Sequence, residues 1–170
     1  MKTSSPQFGL VVAYLLPGFI GLAGIAMVVP VIAHWLAPPA GLSEADIGAP
    51  VYAILAATAL GMILSCLRWI IIDHIHHWTG LKPPKWNLAT LESRLESFNY
   101  IVEGTYRYYQ FYSNTLIAII LAYSLIRWTG TFPLLGPGTD IAAVLLCVAL
   151  FAGSRDALAK YYQRSSQLVG

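Results

Sequence analysis

Charged residues are scarce in this chain, and long stretches contain none. Only 11% of the 170 residues are Asp, Glu, Lys or Arg, against 57% hydrophobic residues, and the mean hydropathy is +0.64. These charged types are missing from residues 3–43, 47–67, 108–126 and 141–154. Because soluble domains carry about 25% charged residues, the composition excludes an ordinary soluble domain and indicates an integral membrane protein.

Other absences exclude several classes of activity. The two cysteines, Cys66 and Cys147, form no CxxC motif and no disulfide framework, so we interpret both as packing residues. The predicted helix centres hold no ionisable group of the kind that proton-coupled transporters and intramembrane aspartyl proteases require. A GxSG serine motif, a histidine-rich di-iron motif and a phosphate-binding glycine loop are also missing. We therefore expect no catalytic residue and no enzymatic activity.

The charge-free stretches predict an all-α polytopic membrane protein with four transmembrane helices. A helix needs about 20 apolar residues to cross a hydrocarbon core of about 30 Å. Three stretches are long enough alone, and flanking apolar residues extend the fourth. The predicted spans are 8–34, 51–72, 112–128 and 140–159, within a single membrane domain that covers residues 1–170.

The basic residues predict the orientation. If both termini are cytoplasmic, nine of the ten Lys and Arg residues lie inside and only Arg127 lies outside. This agrees with the enrichment of basic residues in cytoplasmic loops. We expect an inner-membrane protein with both termini inside, and the net charge of +2 reflects this bias and does not indicate a nucleic-acid partner.

The longest polar segment, between the second and third spans, predicts a cytoplasmic helical arm over residues 86–111. Asn87 or Thr90 can cap its helix. Apolar residues at spacings of three and four then form a coiled-coil-like seam: Leu88, Leu91, Leu95, Phe98 and Val102. This seam packs on a neighbouring cytoplasmic segment or the lipid surface, or it docks a soluble cytoplasmic protein. The aromatic residues of 106–112 are interpreted as an interfacial belt.

Small residues predict how the helices pack. The second span carries a stripe with a spacing of four residues: Ala53, Ala57, Gly61 and Ser65. In the first span, Pro17 predicts a kink because it removes a backbone hydrogen bond. The sequence leaves open whether the stripe packs within one chain or between chains. Because four short helices bury little interior, we expect a homo-oligomer in the lipid bilayer.

The stretch "RWIIIDHIHHWTG", residues 68–80, raises the question of a metal site. On a helix, Asp73, His74 and His77 lie close to one face and could supply ligands to Zn²⁺, with a further donor from elsewhere. His76 would point in another direction. The alternatives are histidines that contact headgroups or backbone carbonyls at the membrane boundary, and a pH-responsive cluster.

Two arginines lie near the inner ends of the second and fourth spans. Arg68 and Arg155 could bind lipid phosphates, pair with Asp73 or Asp156, or line the inner mouth of a pore.

These features support three functional hypotheses. The first is a homo-oligomeric pore or membrane-perturbing effector, gated or assembled through its arm, of the type found in bacterial defence and lysis systems. The second is a non-catalytic scaffold or sensor subunit that anchors a soluble partner. The third is a metal-binding membrane protein that uses the Asp73 to His77 cluster. No cofactor is expected beyond that metal ion.

Overall fold

The secondary structure of the described part of the chain is all helical. The computed structural model describes residues 9, 11–37, 48–130 and 136–169, and these ranges contain no strand. The helices in chain order are α1 (Val11–Ala26), α2 (Pro30–Leu36), α3 (Gly48–Trp78), α4 (Leu88–Leu91), α5 (Glu92–Thr129) and α6 (Pro137–Val169). The all-α class predicted from the sequence is confirmed.

Three helices, α3, α5 and α6, are long and apolar enough to cross a membrane. They contain 31, 38 and 33 residues, more than the number needed for a span. Each extends beyond the predicted ranges 51–72, 112–128 and 140–159, because charged residues beyond the apolar stretches continue the same helix. These helices indicate that the protein is associated with a membrane.

The first predicted span, residues 8–34, is not one continuous helix. α1 ends at Ala26, and α2 begins at Pro30 after Val29, which is extended at φ −119° and ψ 99°. A proline ring disfavours the helical conformation of the residue before it, and this explains the interruption. α1 consists of a five-residue π-helical turn and an eleven-residue α-helix, which together extend about 24 Å at 1.5 Å per residue.

A π-helical turn, Val11–Leu15, opens α1 directly before Pro17, and the kink predicted at Pro17 stays a prediction. Pro17 has no N–H group to donate to the carbonyl of Ala13, four residues earlier. Instead, Nδ2 of Asn114 in α5 donates to this carbonyl at 2.8 Å, and Asn114 is fully buried. A side chain of α5 therefore replaces a hydrogen bond that α1 cannot make in an apolar environment.

The small-residue stripe of α3 packs inside the chain. A Cβ atom added to Gly61 would lie 2.1 Å from the Tyr14 carbonyl oxygen, and one added to Gly18 would lie 1.8 Å from the Ala57 carbonyl oxygen. Backbone contact this close requires glycine, as in other membrane helix pairs. Ala53, Ala57 and Gly61 are buried. Ser65 is half-buried and lines an open groove of about 830 Å³ between α1 and α3.

Helices α5 and α6 form a hairpin that is fastened at both ends. Where α5 ends and α6 begins, Arg127 Nη2 lies 3.6 Å from Asp140 Oδ2, and the Tyr123 hydroxyl donates to the same carboxylate. Near the other end, a core cluster brings Tyr109 of α5 against Ala157, Leu158 and Tyr161 of α6. The first half of α6 instead exposes large aliphatic side chains, which suits contact with lipid.

Candidate functional site

One face of α3 is buried from beginning to end, and its chemistry changes along the helix. The buried residues are Ala53, Ala57, Gly61, Leu64, Arg68, Ile72 and His76. Spacings of three and four keep them on one side of the helix. The small residues come first, and the ionisable ones follow beyond Gly61. We define the polar cluster as Arg68, Asp73 and His76 of α3, Tyr109 of α5 and Ser154 of α6.

Arg68 is the buried cation of the polar cluster, with 5% of the residue exposed. Its guanidinium carbon lies 4.9 Å from the ring centre of Tyr109 and 5.9 Å from that of Tyr106, so both rings contribute cation–π contacts. Its Nη1 atom lies 3.7 Å from Asp73 Oδ1, and its Nε and Nη1 atoms have no hydrogen-bond partner among the described residues. A buried cation in a membrane helix is costly and therefore marks a candidate functional site.

Asp73 balances this charge from one turn further along α3. The hydroxyl of the fully buried Tyr109 donates to Asp73 Oδ1, the same oxygen that faces Arg68. A charge-assisted hydrogen bond of this kind is stronger than a neutral one. Of the roles considered for Arg68 from the sequence, the structure shows pairing with Asp73.

The structure places the predicted metal ligands in different surroundings. Asp73 faces Tyr109, whereas His74 and His77 are exposed. His77 Nε2 lies 2.9 Å from the hydroxyl of Tyr162. Within residues 9, 11–37, 48–130 and 136–169, no three His, Cys, Asp or Glu side chains come close enough to hold a metal ion. Metal binding by Asp73, His74 and His77 stays a prediction.

His76 is buried in the core, whereas His74 and His77 are exposed. His76 is 0% exposed, and its Nε2 atom lies 2.9 Å from Ser154 Oγ in α6. Its ring centre lies 4.9 Å from that of Phe151 and 6.1 Å from that of Tyr109. His76 is therefore a direct polar link between α3 and α6.

Arg155, the residue after Ser154, binds the end of α3. Its guanidinium donates to both the hydroxyl and the carbonyl oxygen of Thr79, the residue that caps α3, with a distance of 2.9 Å to the carbonyl. A cation at this position is favourable because unpaired carbonyls give a helix C-terminus a partial negative charge. Asp156, considered from the sequence as a partner for Arg155, pairs with Lys160 at 2.6 Å.

The predicted arm is attached to the last turns of α6. The backbone N–H of Asn87 donates to the carbonyl of Val169 at 2.6 Å, and Arg94 donates to the carbonyl of Leu168. Trp86 Nε1 donates to Ser165 Oγ at 3.2 Å. Asn87 also caps α4 by accepting from the N–H of Ala89, as the sequence predicted. The arm and the end of α6 therefore form one unit.

The predicted seam is only partly buried. Phe98 and Val102 pack against the core cluster, and Leu91 is half-buried, but Leu95 is 53% exposed. The side chain of Leu88 lies outside the described residues. A 3₁₀ turn at Glu92–Arg94 and a π-helical turn at Val102–Tyr106 interrupt the α-helix. Because a heptad seam needs a constant number of residues per turn, the 3₁₀ turn between Leu91 and Leu95 breaks the seam at Leu95.

Sequence reasoning missed a run of buried polar residues in α5: Gln110, Ser113, Asn114 and Thr115. Gln110 Nε2 donates to the Tyr14 hydroxyl at 3.0 Å, and Gln110 Oε1 accepts from Arg107 at 2.9 Å. The neighbouring aromatic residues suggested an interfacial belt, yet Tyr109 is fully buried. Two features of the sequence could have predicted these buried polar residues. One is the polar stretch inside a charge-free run, and the other is the Ala13 carbonyl, which needs a donor because Pro17 has no N–H.

The polar cluster joins α3, α5 and α6 through ionisable and hydroxyl groups. Comparison with protein-family models, curated proteins and solved structures gives no significant match. Any functional assignment therefore rests on the geometry described above.

Proposed function

We propose that the protein is a non-catalytic scaffold or sensor subunit of the bacterial inner membrane that anchors a soluble cytoplasmic protein. In this proposal α1 with α2, α3, α5 and α6 provide four spans, and both termini face the cytoplasm. The proposal is based mainly on the arm. Its beginning is bound to the end of α6, while Leu95 and Tyr100 remain 53% and 67% exposed.

The attachment of the arm supports a docking role in physical terms. A surface that is already rigid loses less conformational entropy when it binds a partner than a flexible peptide loses. Bonds from Trp86, Asn87 and Arg94 to α6 supply this rigidity. Tyr is among the residue types that dominate binding energy at interfaces, so the exposed Tyr100 on a fixed helix is a suitable anchor for a protein partner.

The pore hypothesis draws less support from the contacts. Ala57 and Gly61 pack against α1 of the same chain, so this stripe no longer argues for a subunit interface. Arg68 is buried beside Asp73, and Arg155 binds Thr79, so neither arginine argues for a pore mouth. Self-association would have to use the exposed apolar faces of α3 and α6.

The experiment that tests this proposal is photo-crosslinking in native membranes. A photoreactive amino acid at Tyr100 in the full-length protein should capture one soluble protein. Leu95→Asp should abolish this product because it places a charge on the proposed contact surface. Gln163→Asp is the control, since Gln163 is exposed on α6 outside the arm and the same new charge there should leave the product unchanged.

Two results would oppose the scaffold. One is an identical crosslinking pattern with and without Leu95→Asp. The other is ion leakage through liposomes that contain the purified protein alone, which would favour the pore. Measurement of the oligomeric mass in detergent on the same sample would then give the number of chains.

A further inference from the structure

Two exposed tryptophans lie at opposite ends of the membrane helices. Trp78, at the end of α3, is 89% exposed, and Trp128, near the end of α5, is 85% exposed. Their contacts with α1 show that α3 and α5 run in opposite directions, and the hydrogen bond from Tyr109 to Asp73 joins them. The two tryptophans are five and 19 residues beyond this bond, so about 36 Å of helix separates them. This length fits a bilayer whose thickness with headgroups is about 40–45 Å, and exposed tryptophans prefer the headgroup level.

The segment that follows α3 carries two lysines on its exposed side. Leu81 and Pro84, three residues apart, are half-buried, whereas Lys82 and Lys85, also three residues apart, are exposed. A period of three is that of an extended proline-rich segment, which rises about 3.1 Å per residue. The two lysines therefore lie on the same side of the segment, with their backbones about 9 Å apart.

Contacts with α6 hold this lysine segment at both ends. Where it begins, the Arg155 guanidinium donates to the Thr79 carbonyl at 2.9 Å. Where it ends, Trp86 Nε1 donates to Ser165 Oγ at 3.2 Å. Because the backbone is fixed at these two points, ligand binding by the lysines has mainly their side chains to order, and this lowers the entropic cost of binding.

The charges of both lysines are available to a ligand. The four ion pairs among the described residues involve other cations, so no described carboxylate neutralises Lys82 or Lys85. Lys82 is three residues beyond Thr79, a reach of about 9 Å along the extended segment. It therefore lies within about one Debye length, about 10 Å, of the headgroup level at the end of α3. A cation at this distance is attracted to an anionic membrane surface.

We propose that Trp78, Lys82 and Lys85 form a binding site for the headgroups of anionic phospholipids. The indole of Trp78 lies in the headgroup layer, and the two ammonium groups bind the lipid phosphates. Zwitterionic lipids bind less tightly, because the cation of their own headgroup offsets the charge of the phosphate. This site is separate from Leu95 and Tyr100 of the arm, so it does not depend on the soluble partner proposed above.

The test uses an aromatic photoreactive amino acid at Trp78 of the full-length protein in lipid nanodiscs. The nanodiscs contain equal amounts of phosphatidylglycerol and phosphatidylcholine, and mass spectrometry gives the ratio of the two lipids in the crosslinked product. We expect phosphatidylglycerol to predominate at Trp78. The same amino acid at Trp128 is the matched control, because Trp128 is similarly exposed but lies at the end far from the lysines. The ratio there should be close to one.

Two double variants decide the outcome. Lys82→Gln with Lys85→Gln should lower the ratio at Trp78 by up to about fivefold for each lysine, which corresponds to about 1 kcal/mol each. Lys82→Arg with Lys85→Arg keeps both charges and should keep the ratio. The proposal is overturned if the ratio at Trp78 equals that at Trp128, or if the glutamine variant leaves it unchanged. It is also overturned if added inorganic phosphate removes the preference at constant ionic strength, since the lysines would then bind free phosphate and not the lipid.

Discussion

Replacement of Gly61 by alanine should force α1 and α3 apart. The new Cβ atom would lie 2.1 Å from the Tyr14 carbonyl oxygen, whereas ordinary contact begins at 3.4 Å. The helices would have to separate locally by about 1.3 Å, because the obstacle is backbone and close-packed interiors yield little. Overpacking of this kind typically costs about 1–3 kcal/mol.

The matched control is Gly104→Ala. Gly104 is also helical, but outside its own helical turn no atom of the described residues lies within 4 Å of its hypothetical Cβ. Alanine there should stabilise the helix by up to about 1 kcal/mol through its higher helix propensity. The two substitutions are chemically identical, yet their expected effects on stability have opposite signs.

Thermal unfolding of the purified protein in detergent measures this difference. The fraction that still elutes as folded protein after heating gives a midpoint for each variant. Gly61→Ala should lower the midpoint, and Gly104→Ala should hold or raise it. If both variants shifted the midpoint in the same direction by the same amount, the contact between α1 and α3 described here would be wrong.

Two further predictions concern the buried polar groups. Asn114→Leu removes the donor to the Ala13 carbonyl and should cost about 1–3 kcal/mol in the same thermal assay; an unchanged midpoint would show that this bond is not made. Arg68→Ala leaves Asp73 without its counter-ion and should cost about 3–5 kcal/mol. Adding Asp73→Asn should recover part of this loss, so additive effects in the double-mutant cycle would argue against coupling of the pair.

Local sequence properties predicted much of the helical architecture. Charge-free runs located three long membrane helices because exclusion of charge from lipid acts on each segment separately. The spacing of small residues located the buried face of α3 as far as Gly61, because small residues mark where membrane helices approach closely. The interruption before Pro30 was also readable, since the restriction before a proline is local.

The contents of the polar cluster could not be predicted because they depend on tertiary contacts and on helix irregularities. A π-helical turn at Trp69–Asp73 lets Asp73, five residues after Arg68, face the guanidinium of Arg68, while Ile72 and His76 continue the buried face at spacings of four. Regular helix geometry instead grouped Asp73, His74 and His77. The partner of His76, Ser154, lies 78 residues away, and no local pattern marks it.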